Sequence, residues 1–538
     1  MSISSQQADA TQTRERGSSA APVLRLPWWP AWLAAALTAV VAFWGMTKPQ
    51  FWFDETATIS AVERPLSSLV GMLSDIDAVH GLYYAVMFPW VRVFGTSELA
   101  MRTPSAIALM IAAFALTRIG MTYAQRFMTQ RVVFTGLMIA VVGAVLPGLS
   151  WAGQEARGYA MAVMSVALAW WAFERYAATR NGLLVVGFGV SMAAATGFSM
   201  YSIFLLPVFF LRSLRWGWRH WLNILIACAL VATACLPLAF IGMTQSAQVD
   251  WINLTTADVF RAMVLTLYFI SPRNITGEYS DAVFAVAPYL AALTALVVVA
   301  GIALSRARWM LLWVASMILL PCAIVLAAQM SGRQFFQERY LTFTTPALIL
   351  LIAMGLAAIP WRVLGAVLAA ALVGLSVPSL LAQNGEYAKE DGYRTSAEEA
   401  AQADTVVFMA PPLRGLFIAY PPEEDYNDPM LAIDPQDSES LWGVNIPYEQ
   451  AWEMDQTGSV AVVSYSDDPN YPLVEDHLLE NQCTLTDDTR REPQYLRFRV
   501  TTFDCPQTDP DQTAPGDQTD PDQTDQTNPA DQAQPAGQ

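Results

Sequence analysis

The sequence predicts a polytopic α-helical membrane protein of about eleven transmembrane helices, with a small extracytoplasmic α/β domain and a disordered acidic tail. Three observations lead there. The 538 residues are 54% hydrophobic with a mean hydropathy of +0.33, above what ordinary soluble chains carry. Apolar runs near bilayer-spanning length recur from Trp32 to Leu381. Charge is also divided: from Asn384 onward the chain has 32 acids and 7 bases, whereas the first 383 residues hold 15 acids and 23 bases. The net charge of −17 therefore joins a mildly basic membrane part to a strongly acidic soluble part. The acidic part is unsuited to neutralising nucleic-acid phosphates, so no nucleic-acid partner is expected.

Hydropathy places candidate spans near 30–46, 103–123, 132–150, 158–178, 183–197, 199–211, 221–243, 283–304, 309–328, 341–359 and 361–381. The run 82–94 is short for a crossing and reads as interfacial or re-entrant. Residues 1–26 are polar, carry Arg14, Arg16 and Arg25, and read as a disordered cytoplasmic segment with no cleavable signal. Eleven crossings then put Arg126, Arg131, Arg175, Arg180, Arg212–Arg219, Arg306, Arg308 and Arg362 in the cytoplasm, satisfying the positive-inside rule.

The membrane part is 27–383, and the same topology gathers the loop 47–102, the turn 151–157, the loops 244–282 and 329–338, and everything after Gln383 on the outer face. That face holds Asp54, Glu55, Asp75, Asp77, His80, Arg102, Gln154, Glu155, Arg157, Glu278, Arg333, Glu338 and Arg339. In loop 56–79, Ile59, Val62, Leu66, Leu69, Val70 and Leu73 recur at helical spacing with Pro65 between them. Two short juxtamembrane helices along the interface are expected.

Residues 384–505 read as the α/β domain. Strands are expected at Thr405–Met409, Leu431–Ile433, Val460–Ser464 and Tyr495–Thr501, and helical or turn stretches at Ser396–Ala403 and Arg414–Tyr420. Residues 506–538 are Asp/Gln/Thr/Pro low complexity and are expected to be disordered. Cys228, Cys235 and Cys322 lie in apolar segments and read as packing residues. Cys483 and Cys505 are candidates for a disulfide, which would place the domain outside the cytoplasm; free thiols are the alternative.

The adjacent acids Asp54-Glu55, just past the first span in FWFDETATIS, need water, a cation or a reacting hydroxyl beside them. With HGLYY at 80–84, SELAMRTPSA at 97–106, GQEARGYAM at 153–161 and ERYLTFTTPAL at 338–348, the order of features over residues 30–381 resembles the GT-C glycosyltransferases. The likeness is to the bacterial branch related to protein O-mannosyltransferases and aminoarabinose lipid A transferases. The resemblance implies a GT-C-like membrane domain that takes a sugar from a polyprenyl-phosphate donor. It would pass that sugar to an envelope glycan, lipid or protein acceptor at the outer face of the cytoplasmic membrane. It maps the general base onto Asp54, with Glu55 supporting it or holding the acceptor. It also implies a site without a metal or other cofactor, a divalent cation being the alternative. The chain departs from the lipid A branch in having His80-Gly81 where that branch often carries a lysine.

Transfer from a lipid phosphate needs a base for the acceptor, cations for the departing phosphate and a groove for the lipid. Arg339 is the first candidate for the phosphate, because an arginine-rich outer rim runs against the inside bias, and Arg333 is the second. Arg102 is either a phosphate or carboxylate clamp or an interfacial anchor. His80, Gln154, Glu155, Arg157, Glu338 and Tyr340 are candidates to line the sugar or acceptor pocket, with Glu155 and Arg157 able instead to pair with each other. Tyr83, Tyr84 and Tyr159 either stack on sugar or anchor at the interface. A transporter or flippase of lipid-linked sugars is the competing reading, and a scaffold recruiting a partner through its acidic domain is a third.

Overall fold

The computed structural model describes residues 26–249, 251–270, 279–389, 392–447, 457–489 and 497–506. The expectations for residues 1–25, Glu278 and the tail from 507 lie outside them. Helical segments follow the expected spans in order, and the chain is a multi-pass membrane protein. Among the described residues, six helices can cross a bilayer by length and composition: Glu98–Phe127, Trp218–Thr244, Ser280–Leu304, Arg308–Met330, Glu338–Ala358 and Arg362–Ala382. A seventh results if Thr129–Val145 and Pro147–Gly153, bent by 67°, count as one. Length and composition alone thus account for six or seven of the eleven expected crossings. Trp29–Phe43, Leu183–Phe198 and Met200–Ser213 are apolar but short, and Tyr159–Thr179 carries Glu174 and Arg175 in its last turns.

Contacts at the helix ends define two ends of the bundle. At one, Arg131 donates to the Pro360 carbonyl (2.5 Å), Arg362 to that of Gln130 (2.8 Å), and Arg126 pairs with Glu174 (3.4 Å). At the other, Ser199 donates to the Tyr340 carbonyl (3.2 Å), Gln245 to that of Leu73 (3.1 Å), and Ser150 to the Gln383 side chain (2.8 Å). The short helix Leu183–Phe198 runs from beside Arg180 to Ser199, so it joins the two ends despite its length.

The segment Glu338–Ala358 is the hub, with 94% of its apolar window buried. It reaches that position through small residues. A Cβ on Gly301 would lie 2.4 Å from the Gly355 Cα, and one on Gly355 would lie 2.5 Å from the Val297 carbonyl oxygen. Backbones this close gain van der Waals contact, which drives helix association where lipid is as apolar as the side chains.

The loop after the first helix forms two helices, Phe53–Glu63 and Leu66–Asp75, broken at Pro65 as the spacing predicts. The first does not lie bare along the interface. Glu55 to Val62 are all buried, because the soluble part covers them: Phe53 packs on Trp442 (ring centroids 5.3 Å apart) and Arg64 donates to the Ser438 and Ser440 carbonyls (3.3 and 3.1 Å). A third helix, Gly81–Phe94, occupies the run read as non-crossing.

The soluble part is a four-stranded sheet, β1 (Thr405–Phe408), β4 (Gly458–Tyr465), β6 (Phe498–Cys505) and β5 (Thr484–Asp488), in the order β1-β4-β6-β5. The β1–β4 pair is parallel and the others are antiparallel. A small ribbon pairs β2 (Leu431–Ile433) with β3 (Val444–Asn445). The last strand runs Phe498–Cys505, later than the expected Tyr495–Thr501; residues 495 and 496 are outside the described range. Strand β5 went unread because TLTDD is a polar edge strand whose first four residues are exposed. Cys483 and Cys505 are joined by a disulfide.

Candidate active site

Asp54 sits in the first turn of Phe53–Glu63, a favourable place for an acid beside a helix N-terminus. Its side chain keeps 14% exposure and faces two arginines: Oδ2 lies 3.3 Å from Arg339 Nη2, and Oδ1 lies 3.6 Å from Arg157 Nη2. Arg157 comes from the turn before Tyr159–Thr179, and Arg339 from the entry of the hub helix. Three elements far apart in sequence thus converge on one carboxylate.

Both guanidinium groups retain donor capacity. Among the described residues, Nε and Nη1 of Arg339 and Nε of Arg157 are buried with no hydrogen-bond partner. Such donors are costly to leave unmet, so each calls for an acceptor. Arg157 also donates to the Tyr84 hydroxyl (2.9 Å), which donates to Asp77 Oδ2 (2.6 Å). Burial works against the Arg157 charge, but Tyr84, Asp54 and Asp77 outweigh it and keep the group firmly protonated.

An aromatic wall adjoins the cluster. Trp52, Trp151 and Tyr159 pack together with Phe53 and Tyr340 beside them. The Arg339 guanidinium lies 5.4 Å from the Trp52 ring and 5.7 Å from that of Tyr340. Tyr340 stacks on Tyr201 (5.4 Å), and Tyr83 is buried with its ring 6.4 Å from Tyr84. The His80 ring is 6.1 Å from Tyr84. Burial and the Arg157 charge push its imidazole down to about 4, so it is neutral near pH 7. Glu338 is buried next to Arg339, and its charge acts on that group.

Beneath Asp54 lies a second cluster with a different character. Glu55, Glu155 and Arg102 have 0% exposure. Arg102 grips Glu55 bidentately (2.9 and 2.7 Å) and donates to the Met46, Pro49 and Gln50 carbonyls (2.6, 2.8 and 3.2 Å). All five of its donors are used. This corrects the assignment of Arg102 to a donor phosphate, which could bind there only by tearing Glu55 away. Burial opposes the Glu55 charge, yet Arg102 and Lys389 prevail and hold its carboxyl below the usual range.

Gln154 and Glu155 are corrected in the same way, because they do not line the open site. Gln154 is tied to the Ala42 and Trp44 carbonyls (3.2 and 3.1 Å), and Glu155 accepts from the Trp52 indole (2.8 Å). Glu155 and Arg157 do not pair internally; each goes to the loop around Asp54. Arg333 is exposed and has no contact with the cluster, because it precedes the turn into the hub helix by several residues. Asp77, Trp52 and Lys389 join the site region without having been assigned a role from sequence. One signal was available for the last: Lys48 and Lys389 are the only lysines in the chain. Among the described residues, no group of three His, Cys, Asp or Glu side chains is arranged to hold a metal ion.

No protein-family model matches the chain, nor does any curated protein. Solved structures do. ArnT from Cupriavidus metallidurans in the apo state superposes with a TM-score of 0.54 at 13% identity, over 87% of this chain and 97% of that one. The same protein bound to undecaprenyl phosphate gives 0.51 at 14% identity, with the same coverage. The archaeal oligosaccharyltransferase AglB from Archaeoglobus fulgidus, in complex with an inhibitory peptide and a dolichol-phosphate, gives only 0.35 at 12% identity, over 81% and 69% of the two chains. At such identities the shared property is architecture: this chain has a membrane fold similar to that of ArnT.

Proposed function

We propose that the protein is an integral-membrane glycosyltransferase. It would move a sugar from a polyprenyl-phosphate donor to an acceptor hydroxyl on the outer face of the cytoplasmic membrane, with Asp54 as general base. The observation that carries this reading is the pairing of one partly exposed carboxylate with two buried guanidinium groups whose remaining donors lack partners. A base beside an oxyanion cradle is the minimal equipment for displacing a phosphate from an anomeric carbon. Undecaprenyl phosphate bound to the similarly folded ArnT supports a lipid phosphate as the leaving group.

In this reading Asp54 takes the proton of the acceptor hydroxyl, and the oxygen bonds to the anomeric carbon. The bond from that carbon to the phosphate oxygen breaks, and its electron pair leaves with the polyprenyl phosphate. Arg339 and Arg157 turn part of their donor set to that phosphate. Tyr159, Tyr340 and Trp52 offer ring faces to the sugar. Direct displacement inverts the anomeric centre. The outer face is favoured because the site and the Cys483–Cys505 disulfide belong with the end opposite the exposed arginines. Eleven crossings, alternating between the two ends, fit that sidedness.

Membranes carrying the protein should convert one member of a panel of radiolabelled polyprenyl-phosphate sugars into labelled product. Asp54→Asn should lower that rate by about 10²- to 10⁴-fold at unchanged expression. Undiminished transfer by Asp54→Asn, or translocation of the carrier with no transfer by the wild type, would defeat the proposal.

A further inference from the structure

The buried cluster under Asp54 contains a cation that arrives from elsewhere in the chain. Lys389 lies between the last membrane helix, Arg362–Ala382, and the helix Tyr393–Ala400 that follows it. Its Nζ lies 3.0 Å from Glu55 Oε1 and 2.6 Å from Glu155 Oε1, and donates to the Gln154 carbonyl (2.8 Å). An ammonium has three donors, and three acceptors converge on this one.

The two carboxylates belong to the two loops that present the proposed machinery. Glu55 adjoins Asp54, and Glu155 is two residues before Arg157. The Ala156 backbone is also tied to side chains of the other loop: its amide donates to Glu55 Oε1 (2.9 Å), and the Thr58 hydroxyl donates to its carbonyl (3.0 Å). Without Lys389, two carboxylates at 0% exposure would face each other. Arg102 could not attend to both, because its five donors are already taken. Like charges in a dry site repel strongly, and burial already pushes the Glu155 carboxyl up to about 7 with Lys389 beside it; without the ammonium, neither two charges nor an added proton would tie the loops together as it does.

We propose that Lys389 is a positioning residue for the transfer reaction: it locks the loop carrying Asp54 to the loop carrying Arg157. The proposal rests on the functional reading above. It makes the passage into the soluble domain a component of the reacting end, although Lys389 touches no substrate.

The test uses the full-length protein in membranes, with a catalytic readout and a separate readout of the lock. In Lys389→Met, kcat should fall about 10²-fold, as a misplacement near 1 Å can cause, while the donor KM moves by less than roughly threefold. Hydrogen exchange at the Ala156 amide should accelerate roughly tenfold or more. Pairing Lys389→Met with Glu155→Gln removes the unbalanced charge at constant shape, and should recover roughly tenfold in kcat and restore protection at Ala156. Lys389→Arg should also be slow, since a planar fork does not match three acceptors grouped around one point. Wild-type kcat and wild-type exchange in Lys389→Met would overturn the proposal. So would a double variant that is no faster than the single one, or that fails to accumulate. If instead Asp54→Asn stays active, the functional reading falls, while exchange at Ala156 still decides whether Lys389 is the lock.

Discussion

Arginines gather at both ends of this bundle, and the two groups behave differently. At the far end Arg126, Arg175, Arg180, Arg219, Arg306, Arg308 and Arg362 are exposed. Arg126 shows the usual compromise: it reaches Glu174 at 3.4 Å while its side chain stays 39% exposed. At the site end Arg64, Arg102, Arg157 and Arg339 are at most 4% exposed. An exposed arginine at a span end needs only a stem along apolar surface and a head in water. A buried one must find acceptors for every donor or carry an unmet demand. Arg102 is fully satisfied within the chain, whereas Arg339 is not. Burial separates these two groups rather than the two ends as wholes, since Arg118 at the far end is buried and Arg333 at the site end is exposed, and donor satisfaction separates the fixing arginine from the candidate binding one.

Three sets of substitutions would break or sharpen that contrast. The largest effect is expected from Arg102→Met, which strands Glu55 in a dry site. Losing one partner of a buried ion pair costs about 3–5 kcal/mol, so the variant should accumulate poorly and unfold at lower temperature. Adding Glu55→Gln should recover part of the loss in a double-mutant cycle of thermal stability. Next, Arg339→Gln should leave folding nearly intact while lowering transfer by about 10²- to 10³-fold, the usual effect of removing an oxyanion donor. A variant that transferred normally but unfolded early would move Arg339 into the class of Arg102. The smallest effect is expected at the far end. Arg175→Gln with Arg180→Gln should change stability by no more than about 0.5 kcal/mol and transfer by less than roughly twofold, as read by thermal unfolding and the same labelled-sugar assay.

Hydropathy made the helical segments legible, because a bilayer demands long apolar runs and leaves them visible in one dimension. The convergence of Asp54, Arg157 and Arg339 was foreshadowed by their gathering on one side of the proposed topology. What could not be read was how the arginines divide their donors. Arg102 stood among the phosphate candidates behind Arg339 and Arg333, since nothing local announces that Met46, Pro49 and Gln50 will turn their carbonyls toward it. The role of Lys389 was hidden for the same reason: its partners Glu55 and Glu155 lie hundreds of residues upstream. The cover over Phe53–Glu63 was missed because an amphipathic reading of loop 56–79 counts apolar spacing and cannot see Ser438 or Trp442.

The hub helix has a further consequence. Glu338–Ala358 is walled in by its neighbours and presents almost no surface to lipid, and Arg339 stands at its mouth. Changes in bilayer thickness or lateral pressure press first on peripheral helices such as Arg362–Ala382, whose apolar window is only 33% buried. The glycine-tight contacts of Gly301 and Gly355 lie between Ser280–Leu304 and the hub, whereas Arg362–Ala382 leads directly to Lys389 in the buried cluster. The hub is thereby screened from the mechanical state of the membrane, while the segment that carries Lys389 is not.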